Sequence, residues 1–288
     1  MTASPWVTTE LAYGDKMIRV VEDADLLAWA KAGGHAPWAA QREALHRGIL
    51  PVRYLKNLWA LSLHEQKALA ESSVFVLGCG GLGGTVAQLL ARAGVGHLVL
   101  CDGDVFCHSN LNRQWFSHSE NIGRFKAEEA AAQCLRLNPL IRVTFYAEHF
   151  NEEKAQDWLS PCHAAVDALD NLKTRFMLEK VCRSLNIPWI HGAVAGWYGQ
   201  VSTFLPSSPV ALEAIYGGRR ERSDAEQALG VLGPTPAVIG SLQAAEVLRI
   251  LTGRPPAYAG LLLYYDGETG TFHTIPLSPP DLGRKVSR

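Results

Sequence analysis

The chain has 288 residues, of which 48% are apolar or aromatic and 19% are charged, so it can bury a substantial core. The formal net charge is −1, which gives no field of one sign towards nucleic acid or an anionic membrane. The N-terminus lacks the basic flank and apolar stretch of a secretory signal, and no apolar run is long enough to span a bilayer. We therefore expect a cytoplasmic globular protein with neither nucleic acid nor membrane as a partner.

Cysteine usage agrees with a reducing compartment. The six cysteines include no C-x-x-C pair, and none follows Cys182. Several fall inside strand or helix patterns, which favours buried small side chains over disulfides. We expect no zinc site.

The first 50 residues are predicted to be an N-terminal extension. They contain two helix-like stretches, residues 23–31 and 37–46, and no interpretable motif. Residues 51–288 are predicted to form one domain, which begins with a helix over residues 63–71.

A β-α-β unit follows. Residues 74–77 form a short apolar strand that ends in glycines, and the next helix has apolar residues at i, i+3, i+4 and i+7. Residues 97–102 are the second strand. The alternation then continues with helices over residues 126–137, 152–159 and 172–185 and strands over residues 141–146 and 164–169.

The pattern changes after residue 185. Residues 189–194 and 200–205 are predicted strands joined by a turn, which indicates an antiparallel addition to the sheet. Residues 207–230 are predicted to be a mobile loop or crossover segment. A helix over residues 236–251 and a hairpin of residues 261–265 and 271–275 complete the chain. The sequence thus predicts a Rossmann-like, doubly wound mixed sheet with C-terminal antiparallel strands.

Four glycines lie between the first strand of the domain and its helix: Gly78, Gly80, Gly81 and Gly83. Backbone N–H groups at such a turn, together with the positive end of the helix, bind phosphate. Asp102 ends the next strand, where a carboxylate accepts hydrogen bonds from ribose hydroxyls. The glycine spacing also satisfies G-x-G-x-x-G, so a nicotinamide-dependent dehydrogenase stays open at this point, as does a plain tight turn.

The residues that follow Asp102 favour a triphosphate. Arg113 offers a forked guanidinium and Lys126 a compact positive charge for a polyphosphate chain. Asp170 closes another parallel strand, whose carboxyl end faces the same crevice, and can reach Mg²⁺. Taken singly, Asp170 could instead cap a helix and Lys126 could be a solvated surface residue.

Residues 53–171 resemble the HesA/MoeB/ThiF family of ubiquitin-activating-like adenylyltransferases. The matching motifs are R-Y-x-K (residues 53–56), G-C-G-G-L-G (78–83), D-G-D (102–104), N-L-N-R-Q (110–114), G-R-F-K (123–126) and D-A-L-D-N with T-R (167–175). Residues 191–196 and 240–246 match more weakly.

The resemblance implies that the C-terminal carboxylate of a small ubiquitin-like carrier attacks the α-phosphate of ATP and releases pyrophosphate. Asp102 would bind ribose, Arg113 and Lys126 the phosphates, and Asp170 the magnesium. The carrier would end in Gly-Gly and serve molybdopterin or thiamine synthesis as a sulfur carrier.

Further nucleotide contacts follow from the same resemblance. Asn110 and Gln114 would help to position phosphate, and Asp104 belongs to the nucleotide-binding set. Lys56 stands where the family has a second arginine that reaches the ATP of the partner subunit. A homodimer is therefore expected.

Two departures from the family pattern alter these expectations. Many members carry paired C-x-x-C zinc motifs in the C-terminal half, and this chain has none. Some relatives form a thioester or persulfide on a cysteine of the crossover segment, but residues 207–230 contain no cysteine. We expect adenylation without a covalent enzyme intermediate.

Three other functions stay open. The substrate could be a peptide or small-molecule carboxylate. A dinucleotide-binding oxidoreductase is disfavoured by Arg113, Lys126 and Asp170. A non-catalytic nucleotide-binding partner protein would bind nucleotide without pyrophosphate exchange.

Several residues carry weaker signals. His191 is more readily interpreted as a structural than as a catalytic histidine. Trp197 and Tyr198 either line a channel for the carrier tail or fill the core, and Cys79 is interpreted as a small side chain with an available backbone N–H.

A short basic run lies in the crossover segment. Arg219, Arg220 and Arg222 could bind an acidic carrier, although such a run is more often simply solvated.

Overall fold

The computed structural model describes residues 6–221, 223 and 228–278. Within these residues the chain forms two sheets, one of three strands and one of eight. No helix in the described ranges has the length and apolar character needed to cross a bilayer.

The N-terminal residues form the small sheet and two helices. Strands β1 (Thr9–Tyr13) and β2 (Lys16–Val21) are antiparallel, and β3 (Leu50–Pro51) pairs in parallel with β2. Helices α1 (Asp23–Gly33) and α2 (Pro37–His46) connect β2 to β3.

This N-terminal unit packs directly on the rest of the chain. The side chain of Arg53 forms an ion pair with Asp23 of α1 and donates a hydrogen bond to the carbonyl of Leu137 at 3.1 Å. Buried Leu140 belongs to the apolar cluster that contains Trp6. The first residue of the R-Y-x-K motif therefore stabilises the fold, and the division at residue 50 stays a prediction.

The large sheet has the order β11-β10-β9-β8-β7-β4-β5-β6. Its strands are β4 (Ser73–Leu77), β5 (His97–Cys101), β6 (Arg142–Tyr146), β7 (Ala164–Asp167), β8 (Trp189–Ala195), β9 (Tyr198–Phe204), β10 (Leu261–Asp266) and β11 (Thr271–Pro276). Strands β4 to β8 pair in parallel, and β8 to β11 pair antiparallel.

Helices cover both faces of this sheet. They are α3 (Leu63–Glu71), α4 (Gly81–Ala93), α5 (Lys126–Leu137), α6 (Glu152–Leu159), α7 (Leu172–Ser184), α8 (Glu213–Tyr216) and α9 (Pro234–Leu251). Residues of α4, α5 and α9 share one apolar cluster, and residues of α6, α7 and α8 share the other. Burial of each large aliphatic side chain contributes about 1.5–3 kcal/mol, so these two layers hold the sheet in place.

The expected doubly wound mixed sheet with C-terminal antiparallel strands is confirmed. Helices α2, α3, α5 and α6 begin and end at the predicted residues. Most other elements differ from the prediction by one or two residues at an end. Three differences bear on the fold. The hairpin of β1 and β2 was not predicted, β7 ends at Asp167 because the chain turns there into the site, and the crossover segment contains the short helix α8.

The weakly matched motif at residues 240–246 has a packing role. A Cβ on Gly240 would lie 2.8 Å from Cβ of Thr85, so the glycine allows α9 to approach α4 closely. The Gln243 side chain donates to the backbone carbonyls of Asp167 and Ile190 at 2.8 and 3.2 Å. Helix α9 is thereby bonded to the ends of the strands that carry the site.

Candidate functional site

A cavity of about 780 Å³ lies at the carboxyl ends of β4 and β7. The chain passes from β4 to β5 and β6 on one side and returns to β7 on the other, so this is the point where the strand order reverses. Open α/β sheets bind ligands at such a switch point, and the volume lies in the range of roughly 300–1,000 Å³ typical of small-molecule sites.

The glycine loop forms one wall of the cavity. Gly78 has φ of 96°, and a Cβ there would lie 2.6 Å from the carbonyl oxygen of Ala168. Gly80 and Gly81 line the cavity, and a Cβ on Gly80 would lie 3.3 Å from Nε2 of Gln114. Side chains at these positions would fill the space that a phosphate chain needs beside the N-terminus of α4.

Gly83 has a different role. It is buried within α4, and a Cβ there would lie 1.7 Å from the carbonyl oxygen of Gly78. It is not among the residues that line the cavity. Its hydrogen side chain lets the helix approach the turn, so any effect on a ligand passes through the position of the loop.

Asp102 organises the loop from the end of β5. Its Oδ2 accepts the backbone N–H of Cys79 at 2.7 Å, and its Oδ1 accepts the N–H of Asp104 at 2.9 Å. Burial raises the pKa of Asp102, and these two hydrogen bonds and the charge of Lys126 oppose that rise. The expectation that the Cys79 N–H is available is therefore wrong, because it is bonded to Asp102.

Lys126 and Asp104 form an ion pair on the cavity wall, with 2.9 Å between Nζ and Oδ2. The lysine side chain is 9% exposed and the aspartate 57%. Lys126 begins α5 and lines the cavity, so it is not the solvated surface residue of the alternative interpretation. A buried ammonium needs an anion nearby, and Asp104 supplies one.

Arg113 and Gln114 contribute from the loop before α5. The Arg113 guanidinium lines the cavity and donates to the carbonyl of Ser109 and to Oδ1 of Asn112, both at 2.8 Å. Gln114 is buried, and its Oε1 has no hydrogen-bond partner among the described residues. A buried polar atom without a partner is costly.

Asn110 does not line the cavity. It is buried, and its side-chain oxygen accepts the backbone N–H of Cys107 at 3.0 Å. Its backbone carbonyl accepts the N–H groups of Arg113 and Gln114 at 3.1 and 2.9 Å. Asn110 therefore shapes the loop that presents those two side chains.

Asp170 lies exposed at the edge of the cavity, three residues after the end of β7. The alternative in which it caps a helix is wrong, because the cap of α7 is Asn171, whose side chain accepts the N–H of Thr174 at 2.9 Å. The Asp170 carboxylate is thus left to face the cavity.

Lys56 lies outside this cavity. It is exposed at the end of a short 3-10 helix, Val52–Asn57, and does not line the cavity of its own chain.

A buried polar cluster forms the floor of the cavity. His191 Nδ1 lies 2.7 Å from Oδ2 of Asp167, and Nε2 lies 3.0 Å from the hydroxyl of Tyr216. Arg175 donates to that hydroxyl at 2.9 Å and lies 3.7 Å from Oδ1 of Asp167. Gln200 donates to the same hydroxyl at 2.8 Å.

Charge in this cluster is balanced between Asp167 and Arg175. Burial alone would raise the pKa of Asp167, but the Arg175 charge and the His191 hydrogen bond outweigh it and lower the pKa. Burial and the Arg175 charge lower the pKa of His191, so the imidazole is neutral at pH 7. With its ring fully enclosed and bonded on both sides, His191 has the structural role that the sequence favoured.

The sequence missed the contribution of Tyr216 and Gln200 to the cavity. The sequence does contain apolar residues in the crossover segment, such as Leu212, which is buried in the structure. They were the available signal that part of this segment packs on the domain. Tyr198 lines the cavity, whereas Trp197 is 44% exposed and does not.

The three arginines of the basic run in the crossover segment differ in their surroundings. Arg219 is exposed and lines the cavity, and Arg220 lies over the ring of Phe176 at 4.0 Å. Arg222 lies outside the described residues.

All six cysteines fall in the described ranges and are free thiols. Five are buried as expected, and Cys107 is exposed. Its position before the short turn at His108–Asn110 leaves the thiol on the surface, so the expectation of a buried role fails there. Within the described residues no group of three or more His, Cys, Asp or Glu could hold a metal ion, and the expectation of no zinc stays a prediction.

Residues 54–285 match the ThiF family. Curated relatives include the SAMP-activating enzyme E1 of Haloferax volcanii, 37% identical over 213 residues, with 73% of this chain and 78% of the relative aligned. The sulfur carrier protein ThiS adenylyltransferase of Escherichia coli K12 is 33% identical over 218 residues, covering 75% of this chain and 86% of the relative.

A further relative is longer than this chain. The adenylyltransferase and sulfurtransferase MOCS3 of Xenopus laevis is 33% identical over 230 residues, covering 78% of this chain but 51% of the relative. The chain therefore spans about half the length of the MOCS3 proteins.

Solved structures share the fold. E. coli MccB in complex with MccA-N7isoASN aligns with a TM-score of 0.69 at 20% identity, over 80% of this chain and 73% of that one. PaaA aligns with a TM-score of 0.63 at 19% identity, over 84% and 72% of the two chains. The sequence match over most of the chain, the motifs and the shared fold lead to one conclusion: the protein belongs to the ThiF family.

Proposed function

We propose that this protein adenylates the C-terminal carboxylate of a small ubiquitin-like sulfur carrier with ATP. The observation that carries the proposal is the meeting of the glycine loop, Asp102, two cations and an exposed carboxylate on one cavity at the switch point of the sheet. The names of two relatives, a SAMP-activating enzyme and a ThiS adenylyltransferase, support the same reaction.

The residues present fit a nucleotide. Asp102 keeps lone pairs free beside its two backbone hydrogen bonds and would accept the ribose hydroxyls. The turn at Gly80 and Gly81 leaves room for the phosphates, and the amide nitrogen of Gln114, which lies beside Gly80, would donate to a phosphate oxygen.

Two cations would hold the triphosphate. Arg113 is half-buried on the loop before α5, lines the cavity, and would bind phosphate with its planar fork. Lys126 would exchange or share its contact with Asp104 when a phosphate arrives, because the polyanion neutralises the buried ammonium more fully than one exposed carboxylate does.

Asp170 would hold Mg²⁺, which prefers oxygen ligands and keeps several of its waters beside substrate phosphates. When bound there, the ion neutralises charge on the phosphates. Asp170 is the one protein carboxylate proposed to bind the ion, so the nucleotide would supply most of the other ligands.

The reaction needs alignment more than it needs a protein nucleophile. A carboxylate oxygen of the carrier forms a bond to the α-phosphorus, the bond from that phosphorus to the bridging oxygen of the pyrophosphate breaks, and pyrophosphate leaves with the electron pair. No proton is transferred. Arg113 and Lys126 bind the leaving group and stabilise its charge, which is how phosphoryl chemistry of this kind is mainly catalysed.

Partner and setting belong to the same proposal. The carrier ends in Gly-Gly, the enzyme acts as a homodimer in the cytoplasm, and neither nucleic acid nor membrane takes part. The sulfurtransferase activity in the name of MOCS3 is not assigned to this chain, which spans about half of that protein.

The test is ATP–pyrophosphate exchange with Mg²⁺ and purified carriers that end in Gly-Gly. Carrier-dependent exchange is expected, with a loss of at least about a hundredfold in Arg113→Ala and in Asp170→Ala, since each removes a group that neutralises transition-state charge. Arg142→Ala, which changes an exposed arginine outside the cavity, is the matched control. Exchange that depends on a peptide or small carboxylate and on no carrier, or nucleotide binding without any exchange, would contradict the proposal.

A further inference from the structure

Tyr216 connects the crossover segment to the floor of the cavity. It is the last residue of α8 and is 8% exposed. Its hydroxyl receives hydrogen bonds from Arg175 at 2.9 Å and Gln200 at 2.8 Å, and it lies 3.0 Å from Nε2 of His191. The hydroxyl thus both accepts and donates in these contacts.

The position of His191 assigns the donors. Nδ1 lies 2.7 Å from a carboxylate oxygen of Asp167, which accepts, so Nδ1 carries the proton. The free Nε2 then accepts the hydroxyl proton of Tyr216. Asp167 thus sets the direction of the bond between Tyr216 and His191, whereas Arg175 and the Gln200 amide nitrogen can only donate.

Arg175 links the same hydroxyl to the backbone beside Asp170. One terminal nitrogen donates to Tyr216, and the other donates to the carbonyl of Leu169. The N–H of Leu169 in turn donates to Oδ1 of Asp167 at 3.2 Å. Leu169 directly precedes Asp170, so one guanidinium holds both the crossover segment and the peptide that presents this carboxylate.

Burial makes the linkage sensitive. Arg175 and Asp167 are 3% and 1% exposed, and water cannot replace a lost partner cheaply at such sites. Removal of the Tyr216 hydroxyl would leave Arg175 and the Gln200 amide to compete for Nε2 of His191, which lies 3.3 and 3.2 Å from their nitrogens. The guanidinium would then shift towards other acceptors and change its hold on Leu169.

We propose that Tyr216 is a positioning residue, which through Arg175 couples the crossover segment to the placement of Asp170. The inference rests on the proposed role of Asp170 in holding the magnesium of MgATP. A movement of the crossover segment that withdraws Tyr216 therefore changes the site for the metal.

The first arm of the test measures attachment of the crossover segment, without nucleotide or carrier. Tyr216→Phe keeps the ring and removes the hydroxyl, so the protein is expected to fold. Limited trypsin cleavage after the exposed Arg219 and Arg220 is expected to be about five- to tenfold faster than in wild type, because loss of the buried hydrogen bonds of the hydroxyl favours local opening. Tyr258→Phe removes a hydroxyl from a half-buried tyrosine outside the cavity and should leave the rate unchanged.

The second arm measures ATP affinity by calorimetry with Mg²⁺ and with EDTA. In Tyr216→Phe the ratio of ATP affinity with Mg²⁺ to ATP affinity in EDTA is expected to fall about fivefold or more. The affinity in EDTA itself is expected to stay within about twofold of wild type. A purely structural loss would lower both affinities together through the fraction of folded protein. Tyr258→Phe should behave as wild type in both conditions.

Each combination of results either supports or overturns the proposed coupling. Faster cleavage together with a selective loss of the Mg²⁺-dependent affinity supports the coupling. Unchanged cleavage, or faster cleavage with an unchanged Mg²⁺ effect, overturns it. Wild type that binds no MgATP also overturns it together with the proposed function, whereas MgATP binding without carrier-dependent exchange would overturn the proposed function alone.

Discussion

At the scale of single residues, the charged groups of the cavity are held in place by hydrogen bonds and ion pairs with other residues of the same chain. Lys126 is paired with Asp104, Arg113 with the carbonyl of Ser109, and Asp102 with backbone N–H groups. Asp104 and Ser109 are exposed, whereas the N–H of Cys79 is buried and fixes the loop. Preformed sites of this kind lower the cost of binding.

Cys107 can be used to test whether the enzyme forms a thioester with the carrier. It is exposed, and the hydrogen bond with Ser109 lowers its pKa, so it is the most reactive thiol among the described cysteines. Cys107→Ser is expected to keep carrier adenylation within about twofold of wild type, because no covalent step is proposed. A carrier adduct on the wild-type enzyme that is cleaved by thiols and missing in the variant would contradict this expectation. The measurement is intact-mass spectrometry under non-reducing conditions.

His97 predicts a dependence of stability on pH. Burial and the positive charge of Arg142 lower its pKa from 6.5 to about 4. The unfolded chain therefore binds a proton between pH 7 and pH 5 that the native protein does not, and the free energy of unfolding falls as the pH falls through this window. His191, whose pKa is also lowered, contributes in the same direction.

Urea unfolding at pH 7, 6 and 5 measures this effect. His97→Asn is expected to flatten the decrease, and His64→Gln, at an exposed histidine, should leave it as in wild type. An equal decrease in His97→Asn and wild type would show that this histidine does not carry the effect.

The nucleotide-binding residues could be found from the sequence because they are local. Gly78, Gly80 and Asp102 follow strands directly, and parallel strands bring their carboxyl ends to one edge. Tyr216 could not be placed, because its partners lie 16 to 41 residues away and their meeting depends on the course of the crossover segment.

At the scale of elements, apolar periodicity predicted the helices well because each packs one face on the sheet. The hairpin of β1 and β2 was missed because its strands are mostly exposed and lack a clean alternation of apolar residues. Strand order in the large sheet depends on contacts between distant segments, which periodicity does not record.

The start of α7 gives a prediction at this scale. Asn171 caps the helix through the N–H of Thr174 and directly follows Asp170. Asn171→Ala is expected to lower the free energy of unfolding by about 1 kcal/mol, since it removes the cap. Asn171→Asp keeps a capping oxygen and should stay within about 0.5 kcal/mol of wild type. Equal losses in both variants, measured by urea unfolding, would show that the cap is not the cause.

At the scale of the whole molecule, the exposed position of Lys56 outside its own cavity suits a contribution to a second copy of the chain. Lys56→Ala and Arg113→Ala are each expected to lower exchange. Mixed after subunit exchange, they should recover about a quarter of the wild-type rate, because half of the dimers are mixed and one of their two sites is intact. No recovery in a mixture proved to contain mixed dimers would place Lys56 in its own site or in none.

The central claim is that the reaction forms an acyl adenylate on the carrier. The most direct measurement is mass spectrometry of a carrier ending in Gly-Gly after incubation with the enzyme, ATP and Mg²⁺, with a carrier amidated at its C-terminus as the control. We expect addition of AMP to the free carboxylate, one pyrophosphate released for each adenylate formed, and no change in the amidated carrier. Conversion of ATP to ADP with an unmodified carrier would contradict it.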